Sequence, residues 1–176
     1  MMLTLTEAEA TTDTRTLLLK HIEQTPGIRY RELLRLTGFI NGVLSYHLLA
    51  LERANVIKVD RESRMTRYYP LSVSDKESAI LKFVRHEPVR EILLFILEHD
   101  MCTFSEIVDH TGKAPSTVSL QLKRLREAGI ILIRHGEHHQ VYRVVEKDLV
   151  AEMFSKYVPS FVDKVIDNYN EMLEEL

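Results

Sequence analysis

Hydrophobic positions between Asn41 and Lys58 recur with the spacing of an amphipathic helix. Leu44, Leu48 and Leu51 follow the i, i+4, i+7 pattern, which places three side chains on one stripe facing a core. The stripe is narrow, so most other side chains of this helix are predicted to face outward. These outward positions are Ser45, Tyr46, Leu49, Ala50 and Arg53.

The same pattern returns 74 residues further along the chain, between Pro115 and Leu132. The offset runs through a whole unit without an insertion, and it preserves a glycine, a serine and a tyrosine as well as apolar residues. Repetition of this kind indicates one structural unit present twice. The matching pairs are Glu32 and Glu106, Gly38 and Gly112, Ser45 and Ser119, Leu48 and Leu122, Leu51 and Leu125, Ala54 and Ala128, Ile57 and Ile131, and Tyr68 and Tyr142.

Each repeat contains the elements of a winged helix. In the first, a helix that begins near Thr14 ends at Pro26-Gly27, because proline cannot continue the helical hydrogen bonds. A second helix ends at Thr37-Gly38, where glycine accepts a left-handed conformation, and a third runs to about Ala54. The period then changes to that of β-strands. The predicted strands are residues 56–59 and 67–69 in the first repeat, and 130–133 and 141–145 in the second.

These elements predict a mainly α fold with small β wings, an α+β arrangement of two tandem winged helix-turn-helix domains plus C-terminal helices. Two small modules also suit a chain of 176 residues. Ser74 and Glu77 have the spacing of a capping box, which predicts a helix between the domains. The predicted divisions are a flexible N-terminal arm (1–13), the first domain (14–71), a connecting helix (72–87), the second domain (88–145) and C-terminal helices for dimerisation (146–176).

The third helix of each repeat has the plan of a recognition helix, which contacts the DNA major groove through its N-terminal half. Such a helix needs small or hydrogen-bonding side chains where its backbone approaches the groove. Ser116 and Thr117 also suit helix capping, which is compatible with a DNA contact, and His47 suits the core and the groove equally. The candidate DNA contacts are Asn41, Gly42, Ser45, Tyr46 and His47 in the first helix, and Ser116, Thr117, Ser119, Gln121, Lys123 and Arg124 in the second.

A net charge of −3 conceals an uneven distribution of charge. Residues 15–71 hold ten Lys+Arg against five Asp+Glu, whereas residues 146–176 hold three against eight. DNA responds to local patches rather than to the total, so the basic first domain is compatible with phosphate contact. The cations predicted to contact phosphates or the minor groove from its wing are Arg61, Arg64 and Arg67.

Apolar residues near the C-terminus alternate three and four positions apart, as in the seam of a coiled coil. A stripe this wide needs a partner surface, which is either the chain's own second domain or a second copy of the chain. We favour a homodimer. The residues predicted to form the interface are Val162, Val165, Tyr169, Met172 and Leu176.

Several segments resemble known families. Residues 116–131, STVSLQLKRLREAGII, look like the ArsR and MarR superfamily, and the resemblance implies a winged-helix fold and DNA binding. Two features depart from that pattern: the first wing has no glycine at its tip, and residues 104–109 lack the ArsR metal-sensing cysteine pair, so thiol-based metal sensing is not implied. The segments that closely resemble archaeal winged helix-turn-helix transcriptional regulators are PGIRYREL (26–33), NGVLSYHL (41–48), LERANVIK (51–58) and RYYP (67–70).

Other chemistry receives little support. His135, His138 and His139 with Glu137 could ligate a metal, but an exposed wing tip without a second ligand set favours a solvated loop. No phosphate-binding loop or nucleophile elbow occurs, so we expect neither enzymatic activity nor a cofactor. The single cysteine, Cys102, is interpreted as packing rather than as a redox sensor. Without a long apolar run, a cytoplasmic, nucleoid-associated protein is expected.

The predicted function is therefore that of a sequence-specific, double-stranded DNA-binding transcriptional regulator acting at promoters. The alternative is a winged-helix module for protein–protein interaction in a transcription or chromatin assembly, because Tyr46, Leu49 and Ala50 would suit a protein groove. Sensing of a small molecule between the domains would require a pocket, which a sequence does not show.

Overall fold

Two units make up the chain, Met1–Ser78 and Ala79–Leu176. The computed structural model describes residues 3–62, 65–136 and 139–158, with side chains from residue 11 onward. Both units contain the same succession of helix, strand, two helices and two strands. The repeat of the sequence is therefore also a repeat of structure.

The first unit combines three helices with a three-stranded antiparallel sheet. Its elements are α1 (Leu3–Gln24), β1 (Ile28–Arg29), α2 (Tyr30–Thr37), α3 (Asn41–Arg53), β2 (Ile57–Glu62) and β3 (Met65–Pro70). The strand order is β1-β3-β2, so β3 lies in the centre, and α1 packs against both β3 and α3. The core residues are Leu18, Ile22, Ile28, Leu33, Leu44, Leu48, Leu51, Ile57 and Tyr68.

The second unit repeats this plan after a helix, α4 (Asp75–Val84), that spans the boundary between the units. Its elements are α5 (Glu87–Glu98), β4 (Cys102–Thr103), α6 (Phe104–Thr111), α7 (Pro115–Glu127), β5 (Ile131–His135), β6 (Gln140–Val144) and α8 (147–158). The strand order is β4-β6-β5. Within the described residues, no helix combines the length and the apolar character needed to cross a membrane.

A left-handed glycine ends the second helix of each helix-turn-helix, as the sequence predicts. Gly38 has a φ of 65° and its N–H donates to the Leu34 carbonyl at 3.0 Å; Gly112 has a φ of 61° and its N–H donates to the Val108 carbonyl at 2.9 Å. An added Cβ would meet no atom within 4 Å at either position. The backbone conformation, rather than crowding, therefore explains both glycines.

The predicted fold class is confirmed: the protein is mainly α, with small antiparallel wings in two winged helix-turn-helix units. The capping box is also present, because the Ser74 N–H donates to Glu77 Oε2 at 2.6 Å and the Glu77 N–H donates to Ser74 Oγ at 3.2 Å. The helix that follows ends at Val84, and α5 begins as a separate element at Glu87.

Two predictions about the elements are wrong. Residues 3–13 belong to α1 rather than to a flexible arm, because leucine, glutamate and alanine favour a helix even without an apolar stripe. Each sheet also has a third strand, β1 in the first unit and β4 in the second. A strand of two residues shows no alternation, so periodicity does not reveal it.

Replacing Gly38 by alanine is expected to lower the free energy of unfolding by about 1 kcal/mol, because an L side chain is strained in the left-handed region. Gly42 is the matched control, since it lies in the first turn of α3 and an added Cβ would meet no atom within 4 Å. Gly42→Ala should raise the free energy of unfolding by about 0.5 kcal/mol. Urea unfolding followed by circular dichroism measures both, and effects of equal sign would contradict this explanation of the turn.

Candidate nucleic-acid interface

The side of α3 that faces away from the core is exposed and largely apolar. Its outermost line consists of Gly42, Tyr46, Leu49 and Arg53, which are spaced by four, three and four residues. Tyr46 is 63% exposed and Leu49 is 42% exposed. The buried residues of the helix are Leu44, His47, Leu48 and Leu51.

The first turn of α3 carries the polar side chains that the sequence predicts there. Asn41 and Ser45 are exposed. Tyr30, the first residue of α2, joins them: its hydroxyl oxygen lies 3.0 Å from the Asn41 carbonyl oxygen and 2.9 Å from Ser45 Oγ. The helical pattern does not select Tyr30, because it lies outside the recognition helix. The signal that could have found it is the difference between the repeats, since Phe104 occupies the equivalent position.

His47 belongs to the core, and its prediction as a groove contact is wrong. Its side chain is 8% exposed, and its Nδ1 has no hydrogen-bond partner within the described residues. Burial lowers the pKa of the imidazole below its ordinary value, and the positive charge of Arg15 on α1 lowers it further. Both effects favour the neutral form of the His47 ring over the charged form.

The wing of the first unit offers less free positive charge than the sequence predicts. Arg67 is wrong as a DNA contact: it lies on the central strand β3, is 4% exposed and donates from Nη1 to the Gly27 carbonyl at 3.4 Å. Burial lowers the pKa of its guanidinium. Arg61 is exposed, but its guanidinium makes two hydrogen bonds of 2.6 Å to the Glu52 carboxylate and thereby lowers the pKa of that carboxyl. Arg64 lies outside the described residues.

Helix α7 presents hydroxyl groups and cations where α3 presents apolar side chains. Ser116 and Ser119 are exposed and Thr117 is half-buried. The N-cap residue of the helix is Ala114, and no side chain makes a capping hydrogen bond there. Ser116 and Thr117 therefore do not cap the helix. Lys123 is exposed as well, and its Nζ lies 3.9 Å from Glu127 Oε1. An exposed pair at this distance is worth little, so the ammonium group remains available to a phosphate.

Gln121 is buried, and its prediction as a base contact is wrong. It is 7% exposed and occupies the position that His47 occupies in the first repeat. Its Oε1 accepts a hydrogen bond of 3.1 Å from Arg124 Nη1. The guanidinium of Arg124 also lies 5.8 Å from the centroid of the Phe83 ring, within the range of a cation–π contact. Gln121 and Phe83 therefore orient the exposed guanidinium of Arg124. The buried Gln121 side chain is not placed to contact a base.

Redox and metal chemistry receive no support from the described residues. Cys102 is buried, its Sγ–H donates to the Tyr142 carbonyl at 3.8 Å, and burial raises its pKa to about 11. A thiol with a raised pKa forms little of the reactive thiolate, so Cys102 is a packing residue rather than a reactive one. No group of three or more His, Cys, Asp or Glu side chains in the described ranges could hold a metal ion. Glu137 and His138, part of the candidate histidine cluster, lie outside those ranges.

Two family models match different parts of the chain. Residues 87–131 match the bacterial regulatory protein, arsR family, and residues 12–81 match an N-terminal HTH domain. The first match covers the helix-turn-helix of the second unit, and the other covers most of the first unit. The resemblance to helix-turn-helix regulators is thereby confirmed, and the match to the arsR family model lies within the second unit.

A relative among curated proteins is an HTH-type transcriptional regulator of Methanocaldococcus jannaschii, 27% identical over 137 residues and 78% of this chain. The chain spans only 34% of that relative's length. The transcriptional repressor BigR from Xylella fastidiosa is 25% identical, with a TM-score of 0.41 over 46% of this chain and 82% of its own. A homodimeric winged helix-turn-helix DNA-binding domain from Mycobacterium bovis is 21% identical, with a TM-score of 0.40 over 56% and 84%.

Replacing His47 by glutamine, the residue of the equivalent position 121, is expected to make stability less dependent on pH. A buried histidine with a lowered pKa stabilises the fold in full above its ordinary pKa of 6.5. That contribution is lost as the pH falls below 6.5, because the unfolded chain then binds the proton more readily. Urea midpoints measured from about pH 8 to about pH 5 should therefore fall more steeply for the wild type. His135→Gln, which changes an exposed histidine, is the control and should keep the wild-type slope.

Proposed function

We propose that the chain is a transcriptional regulator that binds double-stranded DNA sequence-specifically at promoters, in the cytoplasm and in association with the nucleoid. The observation that carries the proposal is the exposed side of the recognition helices in units that match helix-turn-helix models. Each helix begins with small or polar side chains, and burial on its other side requires only a few apolar residues. Such a helix can enter a major groove without uncovering the core.

Helix α7 is the stronger candidate for phosphate contact. Lys123 and Arg124 are exposed one turn after the hydroxyls of its N-terminal half, and Arg126 is exposed near its end. Arg124 is already oriented by Gln121, so less side-chain freedom is lost when it contacts a phosphate. The corresponding residues of α3 are Leu49 and Ala50, which carry no charge. The two helices are therefore expected to contribute differently, with α7 supplying more of the salt-dependent affinity.

A second candidate function, binding of a protein partner by the first unit, is favoured by one observation. The surface around α3 exposes large apolar side chains that a soluble domain does not need for its own core. Its exposed apolar residues are Leu36, Ile40, Val43, Tyr46 and Leu49. A protein groove would bury this surface, whereas DNA would contact only part of it, through thymine methyl groups.

Association into a homodimer through residues 162–176 also belongs to this proposal. Val162, Val165, Tyr169, Met172 and Leu176 lie outside the described residues, so the support is the spacing of these apolar residues in the sequence. A two-fold dimer would present two copies of each recognition helix, and its operator would then be an inverted repeat.

Replacing both Lys123 and Arg124 by glutamine is expected to lower affinity for duplexes of any sequence by about tenfold or more at physiological salt. The slope of log K against log salt should flatten by about one to two units, because each phosphate contact contributes about 0.9. Fluorescence anisotropy with labelled duplexes at several salt concentrations measures both quantities.

Arg61→Gln is the matched control for this experiment, since Arg61 is also exposed but is occupied by Glu52. It should change affinity and slope less than the double variant does. If the double variant binds like the wild type and Arg61→Gln abolishes binding, the first unit alone contacts DNA. Binding that does not respond to salt in the wild type would instead favour the protein-binding function.

Light scattering at micromolar concentration is expected to give the full chain about twice the mass of one 20.5 kDa copy. Truncation after Val158 should yield a monomer in which both winged helices stay folded. Val165→Lys with Met172→Lys should do the same, because an unpartnered charge buried in an interface costs several kcal/mol. A mass near 20.5 kDa for the full chain would rule out the dimer and assign residues 162–176 to packing within the chain.

A further inference from the structure

One tyrosine hydroxyl connects the starts of the two helices in the first helix-turn-helix. The ring of Tyr30 packs against the core of the first unit, and its hydroxyl reaches the surface at the first turn of α3. The hydroxyl oxygen lies 3.0 Å from the Asn41 carbonyl oxygen, 3.3 Å from Asn41 Oδ1 and 2.9 Å from Ser45 Oγ. A single group thus contacts both polar side chains at the N-terminal end of α3, the end through which recognition helices contact base edges.

The Tyr30 hydroxyl can act both as a donor and as an acceptor in this cluster. Its single proton donates to an Asn41 oxygen when Ser45 donates its own proton to the Tyr30 oxygen, and it can instead donate to Ser45 Oγ. Both polar side chains of the first turn thus lie within hydrogen-bond distance of one hydroxyl. The Asn41 side chain keeps its NH2 group and a lone pair of Oδ1 for an outside partner.

The second repeat shows that the fold does not require this cluster. Phe104 stands at the position of Tyr30 and has no hydroxyl, and Pro115 stands at the position of Asn41. Ser119 is thus the only one of the three polar groups that the second unit retains. Both units nevertheless form the same helix, glycine turn and helix. The cluster is therefore a property of the surface of the first unit rather than a condition for its folding.

We propose that Tyr30 is a positioning residue for sequence reading, which holds the Asn41 and Ser45 side chains in place for contact with one base pair. The inference rests on the proposed binding of DNA. In the major groove each base pair presents its own pattern of donors and acceptors, and a side-chain amide reads that pattern with both its oxygen and its NH2 group. Such a contact requires an oriented amide, and the Tyr30 hydroxyl lies where it can orient the amide of Asn41.

The test is selection from a pool of random duplexes by the full-length protein, followed by sequencing of the bound fraction. The wild type should enrich a motif in which one base pair is preferred at one position by about fivefold or more over any other pair, as a good base contact provides. Tyr30→Phe removes only the hydroxyl, and its preference at that position should fall below about twofold while the rest of the motif persists. Asn41→Ala should lose the same position, and adding Tyr30→Phe to it should change nothing further.

Tyr68→Phe is the matched control, because it removes a hydroxyl from the core of the same unit that is not hydrogen-bonded to Asn41 or Ser45, and it should enrich the wild-type motif. Thermal unfolding of each variant shows that the fold persists. If Tyr30→Phe does not fold, Ser45→Ala decides, since Ser45 is exposed and its loss should weaken the same position.

The outcomes separate this inference from the proposed function. If the wild type enriches a motif and Tyr30→Phe enriches the same motif with the same preference, the positioning role is overturned and DNA reading stands. If Asn41→Ala and Tyr30→Phe lose the preference at different positions of the motif, the positioning role is overturned as well. If the wild type binds duplexes with strong salt dependence but enriches no motif, sequence reading by this cluster is excluded. Absence of duplex binding at any salt concentration would overturn the proposed function itself.

Discussion

Burial of three apolar side chains on one side of each recognition helix is the constraint on which the rest of either unit depends. Leu44, Leu48 and Leu51 anchor α3, and Val118, Leu122 and Leu125 occupy the equivalent positions in α7. Each fully buried leucine contributes about 1.5–3 kcal/mol, so a few of them hold a helix of 13 residues in place. Because so little of the helix is needed for packing, the remaining positions are free to carry function without loss of the fold.

The two units use this freedom in different ways. On α7 the exposed positions carry hydroxyls and cations, and Gln121 and Phe83 hold one of the cations in place. On α3 the equivalent positions are mostly apolar, and polarity is confined to the first turn, where Tyr30 organises it. Two winged helices with the same scaffold can therefore expose different functional side chains, because the scaffold places no demand on the exposed residues.

Buried polar side chains lie beneath both of these surfaces. His47 and Gln121 occupy equivalent positions. Among the residues that the structure describes, His47 Nδ1 has no hydrogen-bond partner, whereas Gln121 Oε1 accepts a hydrogen bond from Arg124. A buried polar group without a partner costs stability, and for a histidine the cost rises when it must also be charged. In the wing, Arg67 is withdrawn into the sheet and Arg61 is paired with Glu52. The basic composition of the wing therefore overstates the free positive charge that Arg61 and Arg67 expose.

Periodicity, glycine turns and the 74-residue repeat were sufficient to predict two winged helices, their recognition helices and most of the exposed candidates, such as Asn41, Ser45, Ser119 and Lys123. These features are local, since helical spacing and a left-handed glycine act within a few residues. Only the tertiary structure decided that His47 and Gln121 are buried, because both lie at the flank of the apolar stripe. Whether a flank position is covered depends on the neighbouring element. The same holds for Arg67, because β1 makes its strand a central one, and for Tyr30, whose hydroxyl meets α3 only after the turn has folded.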